Sequence, residues 1–231
     1  LPKELSNGIC SLNQGEDRYA ITVLMEIDKE GNVISSDVQK SIIRVTRRMS
    51  YKEVQTILNE MEKVDENLLS QNKKKKLLEE CEEYKLHFKY MSELAKILKQ
   101  KRDMEGSLNL EVPESKIILD KNGIAVDVKK YEMYFSNEII EQFMLIANET
   151  IAEKFYWLEA PFIYRVHEAP DMEKVEELNK FLWNLGYKIK GNKDNIYPKA
   201  FEDVLEQVKG KPEERVVSNL ILRTLKIARY E

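Results

Sequence analysis

Five basic residues and no acid crowd into Lys40–Lys52, KSIIRVTRRMSYK, with Tyr51 among them. Cations spaced along a segment with an interleaved ring suit a nucleic-acid strand: Arg44, Arg47 and Arg48 would meet phosphates, and the aromatic a base or sugar. The same run also suits a solvated strand edge whose charges discourage pairing with another chain. Composition leaves both readings open. A second basic series, Arg223, Lys226 and Arg229, recurs every third residue near the end of the last expected helix, where cations favour the negative end of the helix dipole.

Other chemistries find little support in the residue pattern. No glycine-rich phosphate loop, GxSxG elbow or HExxH helix occurs. A two-metal phosphodiesterase needs carboxylates that hold cations about 4 Å apart. Here the two aspartates nearest in sequence, Asp120 and Asp127, are separated by a turn, so no local metal cluster is expected. Cys10 and Cys81 form no CxxC pair and the imidazoles are His87 and His167 alone, which disfavours structural zinc and a disulfide framework and fits a reducing compartment. His167, in PFIYRVHEAPD, is expected to make a structural hydrogen bond, and Cys10 to be a small buried apolar residue. The formal charge of −4 argues against a generally basic nucleic-acid binder but allows a local basic groove. No stretch approaches the roughly 20 apolar residues that span a bilayer, nor does the start resemble a signal peptide. A soluble cytoplasmic protein with no membrane partner is the expectation.

The elements that must position these residues read as an α+β fold, an antiparallel or mixed sheet with several long helices. Arg18–Asp28 and Asn32–Arg48 flank KEGN as a β-hairpin, and the more apolar first strand is expected inside the sheet. From Val54 the apolar period lengthens: Val54, Ile57, Met61, Val64 and Leu68, then Leu77, Cys81, Tyr84, Phe88, Met91, Ala95 and Leu98. This predicts two long helices joined at LSQNKKKK, a helical hairpin over 52–103 that packs on itself or on the body of the protein, or else serves as a protein-docking arm. Short strands surround DKNG within Ser107–Val128, with Pro113 at a boundary. A long buried helix follows, capped by Ser136 or Asn137, then helices over Met172–Leu185, Pro198–Val208 and from Pro212 to about Ala228.

Five strings in order, LPKELSNGICSLNQGEDR, RMSYKEV, FMLIANETIAEKF, PFIYRVHEAPD and LRTLKIARYE, closely resemble the catalytic (RNB) domain of the ribonuclease II and ribonuclease R family. The resemblance runs through the whole chain and leans to the bacterial ribonuclease R side. It implies a processive 3′-to-5′ exoribonuclease that threads single-stranded RNA into a channel and, at a Mg2+ site, directs water onto the last phosphodiester to release nucleoside monophosphates. In the family an Asp-rich magnesium motif precedes the first string, and a Ser-Pro with paired arginines follows the last. The resemblance therefore implies an internal piece of a single catalytic domain, inactive alone, that forms channel wall.

The same resemblance assigns Tyr51 to the family tyrosine that selects RNA over DNA and Glu141, in IIEQFMLIAN, to its partner at the ribose. A phenol and a carboxylate can together test a 2′-hydroxyl, which both donates and accepts. Two positions depart from the pattern. Leu110 stands where relatives stack an aromatic on a base, and Gln142 where a second acid is frequent. These departures and the missing ligands motivate a rival reading, a stand-alone RNA-binding or scaffold protein without catalysis.

Overall fold

The computed structural model describes residues 2–66, 68–108, 115–190 and 198–231. The chain divides into two compact units, Leu1–Lys99 with Met133–Leu158, and Gln100–Glu132 with Glu159–Glu231.

In the first unit a helical turn, Glu4–Ile9, breaks at Gly8 and leads into the hairpin β1 (Asp17–Ile27) and β2 (Val33–Arg44). The hairpin is antiparallel, with Asp17 opposite Arg44 and Val23 opposite Val38. Its turn closes because the Asp28 carboxylate accepts the amides of Glu30 and Asn32 at 3.0 and 2.7 Å, with Gly31 at a φ of 84°. β1 is not an interior strand: among the described residues its sheet has two strands, and Tyr19 is 90 % exposed. Nor is Cys10 buried; it lies exposed after the Gly8 break.

The 52–103 segment forms three helices rather than two. α1 (Tyr51–Glu62) ends at Lys63, whose φ of 56° turns the chain out of the helix. α2 (Gln71–Glu80) contains the lysine run expected to be a joint, since lysine is a good helix former whatever its hydropathy. A tight turn at Glu82–Tyr84 separates α2 from α3 (Lys85–Glu105). The break falls where Glu79, Glu80, Glu82 and Glu83 would repel one another at helical spacing.

α1 has two apolar faces. Ile57 packs with Leu77 and Cys81, while Leu58 packs with Ala95 and with Ile139 of α4 (Phe135–Trp157). α1 is thus enclosed by several helices instead of pairing with one. Burial of the Cys81 thiol raises its pKa, as expected of a sulfur used for packing.

In the second unit the hairpin β3 (Ser115–Leu119) and β4 (Ala125–Lys130) brackets DKNG as the sequence predicts. Pro113 lies outside the described residues. α5 (Met172–Asn184), α6 (Pro198–Val208) and α7 (Glu214–Thr224) share one core. Val175, Leu178 and Leu182 meet Phe201, Val204, Val208, Val217 and Ile221, each side chain contributing about 1.5–3 kcal/mol by burial. α7 stops before Ala228 because the chain end turns into strand. Arg165–Val166 (β5) pairs with Arg229–Tyr230 (β6), and Tyr164 and Glu231 exchange amide hydrogen bonds.

Candidate nucleic-acid interface

The first turn of α1 is built by a capping box. The backbone amide and hydroxyl of Ser50 donate to Glu53 Oε2 at 2.7 and 2.8 Å, and the Glu53 amide donates back to Ser50 Oγ at 3.4 Å. Tyr51 is therefore the first helical residue, its position fixed by its backbone while its side chain stays 40 % exposed. The S-x-x-E spelling of RMSYKEV was a legible signal for this start, and periodicity alone missed it.

Helix α4 begins two to three residues earlier than the sequence suggests. Tyr134 is the cap, and its amide donates at 3.0 Å to the side chain of Asn137, three residues on. Ser136 is buried and serves another purpose: its hydroxyl donates to the Tyr51 carbonyl at 2.8 Å and its amide to Gln55 Oε1 at 3.0 Å. The start of α4 is thereby fastened to the start of α1. Glu141 lies five residues further along α4, about 7.5 Å by helical rise, and is exposed. Tyr51 and Glu141 are thus carried on two helices joined at their starts, and neither side chain has a hydrogen-bond or ionic partner among the described residues. Gln142, beside Glu141, is buried, with its Oε1 unpartnered among the described residues.

The three arginines differ in availability. Arg44 reaches across the hairpin to grip Asp17 through two hydrogen bonds, 2.7 and 2.9 Å, which hold the Asp17 carboxyl below the usual carboxylate range. Arg47 donates to Glu80 Oε2 at 2.8 Å, raising its own pKa and lowering that of Glu80. Arg48 is fastened by its backbone, whose amide donates to Gln14 Oε1 at 3.0 Å, while its guanidinium is exposed and unpaired among the described residues. Arg47, Arg48, Gln14, Glu80 and Tyr84 line a shallow polar depression. Sequence reasoning missed Glu80 and Gln14, because each is more than thirty residues from the arginine it serves and no local pattern links them. Lys52 sits 5.8 Å from the Tyr134 ring centroid.

The remaining candidates separate. Leu110 lies outside the described residues. His167 is exposed and makes no hydrogen bond among the described residues, so its expected structural role is not seen. Its neighbour Glu168 is the anchor instead, pairing with Lys226 at 3.0 Å and Arg229 at 2.7 Å. Of the second basic series only Arg223 stands at a helix end, since Lys226 and Arg229 lie beyond it. Among the described residues no three His, Cys, Asp or Glu side chains come together to hold a metal ion. The described residues do not fit the implied magnesium site. No helix of the described residues is long and apolar enough to cross a membrane.

Comparison with known proteins bears on this arrangement as a whole. The chain is 38% identical to Ribonuclease R of Thermotoga maritima over 231 residues, covering 100% of this chain and 30% of that protein. It therefore spans about a third of the length of the curated relatives it matches. Among solved structures it resembles Mycoplasma genitalium RNase R in complex with ribose methylated single-stranded RNA, with a TM-score of 0.83, 26% identity, all of this chain and 34% of that one. The same enzyme in complex with double-stranded RNA gives a TM-score of 0.84 at 25% identity, with all of this chain and 39% of that one covered. The mixed α and β architecture is shared with these neighbours. The RNB domain pattern matches residues 1–231 from end to end, and the chain belongs to that family.

Proposed function

We propose that this chain is channel wall of a 3′-to-5′ exoribonuclease that degrades single-stranded RNA to nucleoside monophosphates. The observation that carries the reading is the joint between α1 and α4. Ser136 fastens the helix bearing Glu141 to the first turn bearing Tyr51, and the phenol and the carboxylate are both exposed and unengaged among the described residues. That is the equipment a ribose 2′-hydroxyl requires. Arg48, and Arg47 with it, would meet phosphates alongside, whereas Arg44 is occupied in setting the hairpin register. The family match from residue 1 to 231 supports treating both compact units, including the 52–103 arm, as parts of one catalytic domain. Two unpaired cysteines accord with a cytoplasmic location.

Magnesium belongs to this reading only as a group held outside the described residues, and no step of the reaction is derived through it. The chain alone is accordingly inactive in the proposal. Protein docking through 52–103 lacks a supporting observation, because the apolar stripes there are filled by their own neighbours. The non-catalytic scaffold reading is not favoured either, since the matched relatives are ribonucleases.

The test is binding of the 231-residue chain to RNA, DNA and 2′-O-methyl RNA of one sequence, followed by incubation of the labelled RNA with Mg2+. The expected result is preference for RNA, reduced by Tyr51→Phe and Glu141→Gln, with the RNA left intact. Equal affinity for RNA and DNA, or a preference unmoved by both substitutions, would overturn the ribose reading. A magnesium-dependent ladder of shortened products would overturn the inactivity.

A further inference from the structure

The depression beside Arg48 contains an acid where an RNA path would be expected to hold only cations. Glu80, at the end of α2, takes Arg47 on one carboxylate oxygen at 2.8 Å and Lys76 on the other at 3.6 Å. Its side chain is 41% exposed, and that of Arg47 27%. The pair is therefore reachable by solvent and by an entering anion, and exposed ion pairs of this kind exchange partners at little cost. Next to it the Arg48 guanidinium is unpaired among the described residues. One depression thus offers one cation at once and a second only in exchange for an acid.

We propose that Glu80 sets the strength of the RNA grip here by competing with a backbone phosphate for Arg47. The proposal rests on the reading that 40–52 lines the RNA path. A phosphate that enters meets Arg48 directly and recruits Arg47 only by displacing Glu80, which retains Lys76 as a partner while displaced. Full neutralisation would release about one more counterion per bound strand and tighten binding accordingly. A strand that must advance through a channel benefits from a grip that exchanges readily, just as conducted ions need sites they can leave. The simpler account makes Arg47–Glu80 a staple between the segment after β2 and α2. That account predicts a change in stability upon loss of Glu80 and none in the salt dependence of RNA binding.

The experiment is fluorescence anisotropy of a labelled single-stranded oligouridylate with the 231-residue chain in EDTA, titrated from low to high salt, with thermal melts confirming that each variant is folded. Each phosphate contact on a single strand adds about 0.7 to the slope of log K against log salt, equivalent to about fivefold at 0.1 M relative to 1 M. Glu80→Gln should therefore bind about fivefold tighter at 0.1 M salt with a slope steeper by about 0.7, and adding Arg47→Ala should abolish both gains. Glu83→Gln, which alters the field of the same depression without freeing Arg47, separates competition from a general loss of negative charge. A gain from it that Arg47→Ala leaves in place is the expected contrast. Arg48→Ala should weaken binding by a similar factor.

If Glu80→Gln matches wild type while Arg48→Ala weakens binding, the competition is refuted and the RNA path stands. If the gain from Glu80→Gln survives Arg47→Ala, the competition is likewise refuted. If Arg48→Ala has no effect, or the wild-type chain binds no RNA, the RNA path fails and the role of Glu80 fails with it.

Discussion

Replacing Gln55 by methionine tests whether the joint between α1 and α4 holds by polar geometry or by apolar packing alone. The substitution conserves shape and helix propensity but deletes two hydrogen-bonding atoms. Gln55 Oε1 accepts the Ser136 amide at 3.0 Å, and Nε2 donates at 2.8 Å to Asn59, whose own amide donates to Glu66 at 3.1 Å. Ser136 and Asn59 are 2 % and 5 % exposed, so water does not readily replace the lost partner at either. The Ser136 amide is also one of the first-turn donors of α4 that no helical carbonyl can satisfy. An orphaned buried donor costs about 1–3 kcal/mol and an orphaned acceptor about the same, giving roughly 2–4 kcal/mol once partial relaxation is allowed. Removing the Ser136 hydroxyl alone should cost only about 1 kcal/mol, since the Tyr51 carbonyl belongs to a helical turn and keeps its backbone partner. Urea unfolding read by circular dichroism gives the stability, and the RNA-to-DNA affinity ratio under native conditions gives the function. Gln55→Met should lower both. A variant within about 0.5 kcal/mol of wild type with its ratio intact would mean that Leu58, Ala95 and Ile139 alone hold the joint, and the argument from Ser136 would fall.

Two further outcomes follow from local geometry and charge. Gly106, just beyond α3, has a φ of 84°, and an added Cβ would lie 2.6 Å from Lys199 Cβ and 2.9 Å from its Cα, so Gly106→Ala should destabilise the second unit by about 1–3 kcal/mol in a urea melt; an unchanged midpoint would refute the close approach. Acid should destabilise the fold in a defined direction. Asp17, Asp28, Asp37, Glu60, Glu80 and Glu168 all have lowered pKa values in the folded chain, chiefly through hydrogen bonds from Arg44, Asn32, Gln39, Lys74, Arg47 and Lys226 respectively. Each therefore contributes stability that is present above its unfolded pKa, near 4, and is lost as pH falls through the lower folded value. Stability measured in urea should be flat from pH 7 to about 5 and fall below about 4; stability that rises on acidification would contradict the assignments.

What could be read from the sequence and what could not divide along a physical line. Strands and helices set by periodicity and punctuation were legible: KEGN and DKNG closed hairpins, and Gly186 and Gly210 stand just beyond α5 and α6. Elements whose limits depend on charge or on distant partners were not. The lysine run looked like a joint because hydropathy ignores helix propensity, and Lys74 is held by Glu60, on another helix, at 2.8 Å. α7 was read too long because nothing local announces that Tyr164 will pair with Glu231. Tyr51 and Glu141 were singled out by resemblance alone, and the residue that ties the first turn of α1 to the start of α4, Ser136, looked like a helix cap.

Charge is where sequence counting misleads most. The run Lys40–Lys52 reads as five cations, yet Arg44 is spent on Asp17 and Arg47 on Glu80, while Lys52 lies close to an aromatic ring. What a strand of RNA would meet first is narrower, Arg48 above all, with Lys40 standing exposed on β2. With a net charge of −4, the proposed grip would rest on a few cations whose availability neighbouring acids control. On this view the acid beside Arg47 is part of how such a protein binds a polyanion and still lets it move. The salt slope should then be shallow in the wild-type chain and become steep only as those acids are removed.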